Sequence, residues 1–262
     1  MNVINELFDL SSKTSIITGA SRGIGAEIAR TLARAGSNIA IIYHNYLEGA
    51  KIVKNEIKKL EKKVDIFQAD VSDSDQVKKM VEKVYNQFGR IDILINNVGV
   101  YPHSFALEMK EEEWDKVINV NLKSAFLCSR EVAKYMIESK EGGKIVNISS
   151  ISHLQPEMAF SHYCASKGGL VSLTRSLALE WAQYKINVNA ILPGLIDTGE
   201  LGKNALYRMN AYLKLCPLKR VGIPSDIANT VLFLVSKASN FITGQTIIVD
   251  GGVLLAGYMN IA

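Results

Sequence analysis

Cysteine is scarce in this chain of 262 residues: Cys128, Cys164 and Cys216 are the whole complement. They are odd in number and far apart, so their spacing builds neither a disulfide framework nor a CxxC metal site. Three free thiols in a reducing cytoplasm are the expectation, and no metal centre is expected. Cys164 stands beside a tyrosine discussed below, where packing explains it better than a modifiable thiol does. The opening Met-Asn-Val-Ile-Asn-Glu-Leu-Phe-Asp has no basic start and no apolar core, so no secretory leader is indicated. No run of about 18 apolar residues occurs, which argues against a membrane-spanning helix. A strong charge imbalance is also missing, the formal net charge being +4. Lysines cluster only in Lys51–Lys63, where apolar residues recur at helical spacing and the charges read as one solvated helix face. No aromatic platform or recognition motif accompanies them, so nucleic-acid binding is not expected.

What is present is a globular composition, 48% hydrophobic and 21% charged, which suits one large domain with a sizeable core. Strand and helix patterns alternate almost to the end. Strands are predicted at Ser15–Thr18, Ile39–Tyr43, Val64–Gln68, Ile91–Ile95, Lys144–Ile148, Ile186–Ala190 and Thr246–Val249. Between them lie helical patterns, among them a Lys-rich one running to about Lys62 and a long one from Glu111 to Glu138. Another spans Ser161–Gln183, and Gly199–Pro217 interrupts the rhythm. The expected fold is α/β: a single doubly wound, Rossmann-type domain over residues 1–262, with seven parallel strands and helices on both faces. Ligands of such sheets bind beyond the carboxyl ends of the strands, so chemistry-bearing residues should follow strands.

They do. Thr18-Gly19-Ala20-Ser21-Arg22-Gly23-Ile24-Gly25 follows the first strand and opens the first helix of the alternation. Glycine allows positive φ and close approach of backbone to a pyrophosphate, and the helix N-terminus offers free N–H groups. A glycine cluster by itself also suits a plain tight turn. Its place between strand and helix turns the reading toward a dinucleotide. NAD sites usually end the second strand with a carboxylate for the ribose 2′-OH. Here that strand ends Tyr43-His44-Asn45, and Glu48 comes late. Arg22 with His44 or Asn45 suits a 2′-phosphate instead, so NADP(H) is expected ahead of NAD(H).

Tyr163-Cys164-Ala165-Ser166-Lys167 puts a phenol and an ammonium four residues apart on one helix face. A phenol of pKa about 10 must be lowered by about 3, or about 4 kcal/mol, to act as a base near neutrality. A nearby ammonium and an oxidised nicotinamide are suitable sources. The pair alone would read as an exposed helical pair. Ser149-Ser150 ends the fifth strand, and a hydroxyl there suits holding a substrate oxygen beside Tyr163, a cap or turn being the plainer role. Asn96-Asn97-Val98-Gly99 ends the fourth strand. Asn119-Val120-Asn121 lies inside the long helix, where Asn is a poor choice; either the helix is distorted around a functional Asn or these residues are simply exposed.

Along essentially its whole length the chain resembles the short-chain dehydrogenase/reductase family. The residues that carry the resemblance are Thr18-Gly19-x3-Gly23-Ile24-Gly25, Asp70, Asn96-Asn97-Val98-Gly99, Asn121, Ser150, Tyr163-x3-Lys167, Pro193-Gly194 and Asp250-Gly251-Gly252. Within the family it is similar to the 3-oxoacyl-(acyl-carrier-protein) reductase group and to its sugar- and steroid-alcohol relatives. The resemblance implies hydride transfer between a nicotinamide and an alcohol/ketone carbon. It implies that Tyr163 is the acid/base, that Ser150 orients the oxygen, that Lys167 lowers the Tyr pKa and bonds the ribose, and that Asn121 holds a water. It implies Gly19, Ser21, Gly23, Ile24, Gly25, Tyr43, Asp70, Val71, Asn97, Gly99, Pro193, Gly194, Ile196 and Thr198 along the cofactor, besides Arg22, His44 and Asn45. It further implies a substrate lid at about 199–217 and a homotetramer paired through long helices and the C-terminal strand region. The lid contains Leu201, Leu206, Tyr207, Met209, Tyr212 and Leu213, which suits a partly apolar ligand or plain packing. Where carrier-protein reductases often carry basic residues, this chain reads Glu138-Ser-Lys-Glu141 and Gln183-Tyr-Lys185, and Val100-Tyr-Pro-His-Ser104 also departs from the pattern. Docking of acyl-carrier protein is therefore disfavoured. An NAD-dependent sugar or steroid dehydrogenase is the alternative reading, and a non-catalytic nucleotide sensor the remote one.

Overall fold

The computed structural model describes residues 3–199 and 205–256, without the side chains of 205–208. A short helix α1 (Val3–Phe8), not expected from the sequence, leads into β1 (Thr14–Thr18), whose five residues are all buried. Then follow α2 (Gly23–Arg34), β2 (Asn38–Tyr43), α3 (Leu47–Lys58), β3 (Val64–Gln68), α4 (Ser74–Phe88) and β4 (Ile93–Asn96). The second half comprises α5 (Glu111–Ile118), α6 (Ser124–Ser139), β5 (Gly143–Ile148), α7 (Ser161–Trp181), β6 (Ile186–Pro193), α8 (Ala205–Leu215), α9 (Pro224–Val235) and β7 (Thr246–Val249).

The seven strands pair in parallel in the order β3-β2-β1-β4-β5-β6-β7. The chain winds outward from β1 to β3, then returns to the other side of β1 with β4. That reversal opens a crevice between the loops after β1 and β4. Neighbouring strand residues face opposite sides of the sheet. Accordingly, Ile17 joins a core with Ile28 and Leu32 of α2 and Val231 of α9, whereas Ile16 joins one with Val81 of α4, Val132 of α6 and Leu177 of α7. Burial on both faces is why the strands read as apolar runs rather than alternating ones.

Most element boundaries fall within about two residues of the expected ones. Two differ for clear reasons. The Lys-rich helix stops at Lys58, and Glu61 takes a positive φ of 56° in the turn beyond it. The long helix is not continuous: Asn119–Lys123 is a π-helical turn between α5 and α6, with the Ser124 N–H reaching the Asn119 carbonyl. A wider turn inserts an extra residue and swings its side chains off the α-helical register. It brings Asn121 inward to 1% exposure, so of the two explanations for this Asn run, distortion holds and surface exposure does not. Of the lid residues expected to meet substrate, Leu201 lies outside the described residues, as do the side chains of Leu206 and Tyr207. Met209, Tyr212 and Leu213 lie on α8.

Candidate active site

Tyr163 and Lys167 stand on the first two turns of α7, whose N-terminus abuts the carboxyl end of β5. Phe160, at the N-cap, makes no side-chain cap. Instead, the Tyr163 N–H donates to Nδ1 of its neighbour His162 at 2.9 Å. That bond satisfies one of the helix's free amides at the residue where position matters most. Lys167 is 3% exposed. Its Nζ donates to the Ile148 carbonyl at 2.8 Å and lies 5.7 Å from the centre of the Tyr163 ring. Ser149 Oγ donates to the Lys167 carbonyl at 2.8 Å, which ties β5 to α7.

The electrostatics of this pair differ from the sequence expectation. Burial pushes the Tyr163 phenol up to about 12; Ser150 at the hydroxyl opposes this, while Glu157, Tyr101 and Cys164 add to it. Burial also pushes the Lys167 ammonium down to about 8. An ammonium one helical turn away therefore does not acidify the phenol by itself. Both side chains are held in a poorly solvated place where each charged form is disfavoured, and the positive charge that would lower the phenol must come with a ligand.

Ser150 follows β5 with extended backbone. Its Oγ accepts the Ser152 N–H at 3.1 Å and donates to Ser152 Oγ at 3.0 Å. Asn121 is held on three sides: its Oδ1 accepts the Val100 N–H at 2.8 Å, and its Nδ2 donates to the Val100 carbonyl at 2.9 Å and to Ser166 Oγ at 3.1 Å. The π-turn thus anchors the segment following Gly99 against the helix that carries Tyr163.

The glycine-rich loop is closed from β4. Asn97 Nδ2 donates to the Thr18 carbonyl at 3.0 Å and the Gly19 carbonyl at 3.3 Å, and the Asn97 N–H donates to Thr18 Oγ1 at 2.9 Å. Gly19 and Gly23 take positive φ, 64° and 55°. Arg22, at the N-cap of α2, makes no side-chain cap, which suits first-turn amides kept for a ligand. A Cβ on Gly25 would sit 2.5 Å from both Asn97 Nδ2 and the Gly19 carbonyl. Here the backbone itself is in the way, so Gly25→Ala is expected to cost about 1–3 kcal/mol through overpacking. Thermal unfolding should show the loss, and titration with NADPH should show weaker binding. Unchanged stability and affinity would mean that the loop yields freely.

Beyond β2, His44 and Asn45 are exposed, whereas the Tyr43 ring packs into the core and its carbonyl accepts the Ala69 N–H. Asp70 accepts from the N–H and Oγ of Ser72 and lies 4.0 Å from His44. Its carboxyl stands below the ordinary range although burial opposes this, because the Ser72 bonds and His44 outweigh burial. Val71 is buried beside it. The Arg22 guanidinium lies over the Tyr46 ring at 5.7 Å. Ser21 borders the first turn of α3, where its carbonyl closely approaches Gly49.

A cavity of about 500 Å³ runs from the glycine loop to α8. Of the residues expected from sequence, Ile24, Asn97, Gly99, Ser150, Tyr163, Lys167, Pro193, Gly194, Ile196 and Thr198 line it. Asn121 stands behind it, and Gly19, Ser21, Arg22, Gly23, Gly25, His44, Asn45, Asp70 and Val71 follow the strand ends toward β3. Positive-φ glycines, uncapped amides and a groove leading to a buried ammonium suit an extended dinucleotide with its pyrophosphate on α2. Among the described residues no three His, Cys, Asp or Glu side chains cluster as a metal site.

Sequence reasoning missed several members. Asn147 lies fully buried in β5, where it accepts from Asn96 Nδ2 at 2.8 Å and donates to Thr174 Oγ1 at 2.9 Å, fixing β4, β5 and α7 to one another. The polar residue inside the apolar run Ile-Val-Asn-Ile was its one signal. Tyr101 and Phe160 flank Tyr163 edge-on, both at 6.2 Å between ring centres. Tyr212, already expected on the lid, donates through its Oη to the Asp250 carbonyl, which ties α8 to the loop after β7.

Comparison with known proteins gives concordant results. Residues 19–254 match the model of a family described as enoyl-(acyl carrier protein) reductase. A 3-oxoacyl-(acyl-carrier-protein) reductase of Staphylococcus aureus is 42% identical over 246 residues, which is 93% of this chain and 99% of that protein. The 2-dehydro-3-deoxy-D-gluconate 5-dehydrogenase of Escherichia coli is 37% identical over 254 residues, 96% of this chain and 99% of that protein. Among solved structures, a short-chain type dehydrogenase/reductase from Mycobacterium marinum superposes with a TM-score of 0.90 at 34% identity, covering 95% of this chain and 98% of the other.

Proposed function

This chain belongs to the short-chain dehydrogenase/reductase family and is a nicotinamide-dependent oxidoreductase acting on CH–OH groups; from that premise we propose that it interconverts a 3-oxoacyl thioester and the matching 3-hydroxy compound with NADP(H). The observation that carries the proposal is the convergence of Ser150, Tyr163 and Lys167 on one cavity at the strands' carboxyl edge. When bound, the nicotinamide supplies or takes up the hydride. Tyr163 donates a proton to the carbonyl oxygen in reduction and takes it back in oxidation. Ser150 holds that oxygen, and Lys167 binds the ribose and stabilises the phenolate. Asn121 keeps the Gly99–Val100 segment in place and supports a water beside Lys167. The lid at about 199–217 covers the substrate through α8.

The preference for NADP(H) is supported by the lack of a carboxylate at the end of β2 and by Arg22 and His44 beside it. The carboxylate of Asp70 is engaged by Ser72. Arg22→Ala is expected to raise the KM for NADPH roughly 10–100-fold, the worth of a charge-assisted hydrogen bond, with little change for NADH. A wild type that prefers NADH would overturn this part of the reading.

The substrate class is tested with a panel: acetoacetyl thioesters, a crotonyl thioester, keto sugar acids and steroid ketones, each with both cofactors and followed by nicotinamide absorbance. Turnover of the acetoacetyl thioester is expected. Turnover of the keto sugar acid alone would replace the reading by that of a sugar dehydrogenase, which the Escherichia coli relative favours. Turnover of the crotonyl thioester alone would make it an enoyl reductase. We further propose a cytoplasmic homotetramer. Phe126 on α6, Leu179 on α7, and Ile248 and Leu255 around β7 are exposed apolar residues on the faces such an assembly would cover.

A further inference from the structure

Charge is unevenly placed around the cavity. Among the described residues that line it, Glu157 is the only carboxylate and Lys167 the only basic side chain. Lys167 is 3% exposed and its Nζ is bound to the Ile148 carbonyl. A Cβ on Gly99 would lie 3.4 Å from that nitrogen, so the ammonium stands on the Gly99 side, deep in the groove. Glu157 is exposed at the mouth, on the loop after β5. Its carboxylate is held there: Ser152, itself buried, donates its hydroxyl to Glu157 Oε1 at 3.2 Å. Ser152 Oγ in turn stands 3.0 Å from Ser150 Oγ. Two hydrogen bonds therefore separate the carboxylate from the serine assigned to the substrate oxygen. The same charge reaches the phenol, where Glu157 is one of the groups that raise Tyr163.

Carboxylates in contact with water are ionised at neutral pH. A ketone that enters with a carboxylate close to its carbonyl brings a second negative charge near Glu157. Like charges repel more strongly in a cleft partly shielded from water than in bulk. The reduced nicotinamide ring is uncharged and offers no compensation. We propose that Glu157 is a specificity-determining residue that rejects anionic substrates, so that the site takes a 3-oxo group whose carboxyl carbon is masked as a thioester or ester and refuses the free 3-oxo acid. This rests on the reading of the cavity as the place where a 3-oxo group is reduced, and it names what that site turns away: the hydrolysis product of its own substrate, and keto sugar acids with it. Selection of this kind works by repulsion of the wrong ligand and needs no added contact to the right one.

The test compares acetoacetate with methyl acetoacetate at saturating NADPH. The two share the reacting carbonyl and differ by one negative charge. Their intrinsic reactivities differ too, but equally for every variant, so the change in ratio between enzymes isolates Glu157. Wild type is expected to favour the ester in kcat/KM. Glu157→Gln should reduce that preference roughly fivefold, the worth of two charges about 4 Å apart in water. Glu157→Lys should reduce it further, and Glu157→Asp, which keeps the charge, should stay nearest to wild type. Salt at about 1 M, which screens charges beyond about 3 Å, should raise the relative rate on acetoacetate in wild type and leave it unchanged in Glu157→Gln. A merely structural role would lower both ketones together and leave the salt response as it was. That result, a ratio unmoved by Glu157→Gln, or a wild type that favours acetoacetate would overturn the proposal. If wild type reduces neither ketone, the 3-oxoacyl reading fails by itself. Binding of the two compounds to the NADPH complex, read by nicotinamide fluorescence in wild type and Glu157→Gln, then decides the charge selection in the same way.

Discussion

Tyr163→Phe is expected to lower kcat by about 10³-fold or more while leaving NADPH affinity within about threefold of wild type, on the usual scale of general acid–base catalysis. The substitution removes one hydroxyl and keeps the ring. The ring is half-buried and packs edge-on against Tyr101 and Phe160, and those contacts need no oxygen. Lys167 keeps its bond to the Ile148 carbonyl, which does not involve the phenol. The glycine loop and Asn97 are untouched. What disappears is the one group at the oxygen's position that can give and take a proton. Steady-state rates with the panel substrate, set beside a fluorescence titration with NADPH, separate the two effects. Undiminished turnover would show that the proton comes from elsewhere and would remove the basis of the proposed mechanism.

Lys167→Met should move activity and stability in opposite directions. Activity is expected to fall by about 10²-fold or more, because the phenolate and the ribose lose their cation. Stability of the ligand-free protein should rise. Burial holds the ammonium at about 8 against an ordinary value of 10.5. At pH 7 the group is protonated whether the chain is folded or unfolded, and folding must bury the charge. The gap corresponds to about 3 kcal/mol of destabilisation. The sign follows from the direction of the change. Because the folded state binds the proton less tightly, the penalty is fully present below about 8, declines as the pH rises from there, and is gone above 10.5. Methionine carries no charge and fills a similar volume. Against the gain stands the lost bond to the Ile148 carbonyl, about 1–2 kcal/mol. A net gain of about 1–2 kcal/mol is expected near pH 7, shrinking at high pH. Thermal or urea unfolding across that range checks it. A variant less stable than wild type at pH 7 would show that the buried ammonium is better solvated than its surroundings indicate.

Much of the molecule could be read from the chain alone because neighbours in sequence encode it. β1 reads Thr-Ser-Ile-Ile-Thr and is buried throughout, as a central parallel strand must be. Gly89 ends α4 in the left-handed conformation, which glycine adopts at no steric cost. The glycines after β1 announced a loop on a helix N-terminus, and Ser150, Tyr163 and Lys167 announced themselves by order and type along the chain. The features that stayed hidden depend on residues far apart. Ser152 and Glu157 meet only because the loop after β5 folds back, and neither residue type was unusual where it stood. Asn147 has its role only because Asn96 and Thr174 close around it.

The sequence by itself determined the alternation of strand and helix, the glycine loop, and which side chains to look for at the strand ends, since periodicity and local residue type suffice for these. The tertiary structure alone decided how those side chains behave. The π-turn at Asn119–Lys123 turned Asn121 inward. Loss of water around the end of β5 raised the phenol and lowered the ammonium, the reverse of what their proximity in sequence suggested for the phenol. Solvation is the reason: a charge's stability depends on everything packed around it, and that is assembled from segments the chain keeps far apart.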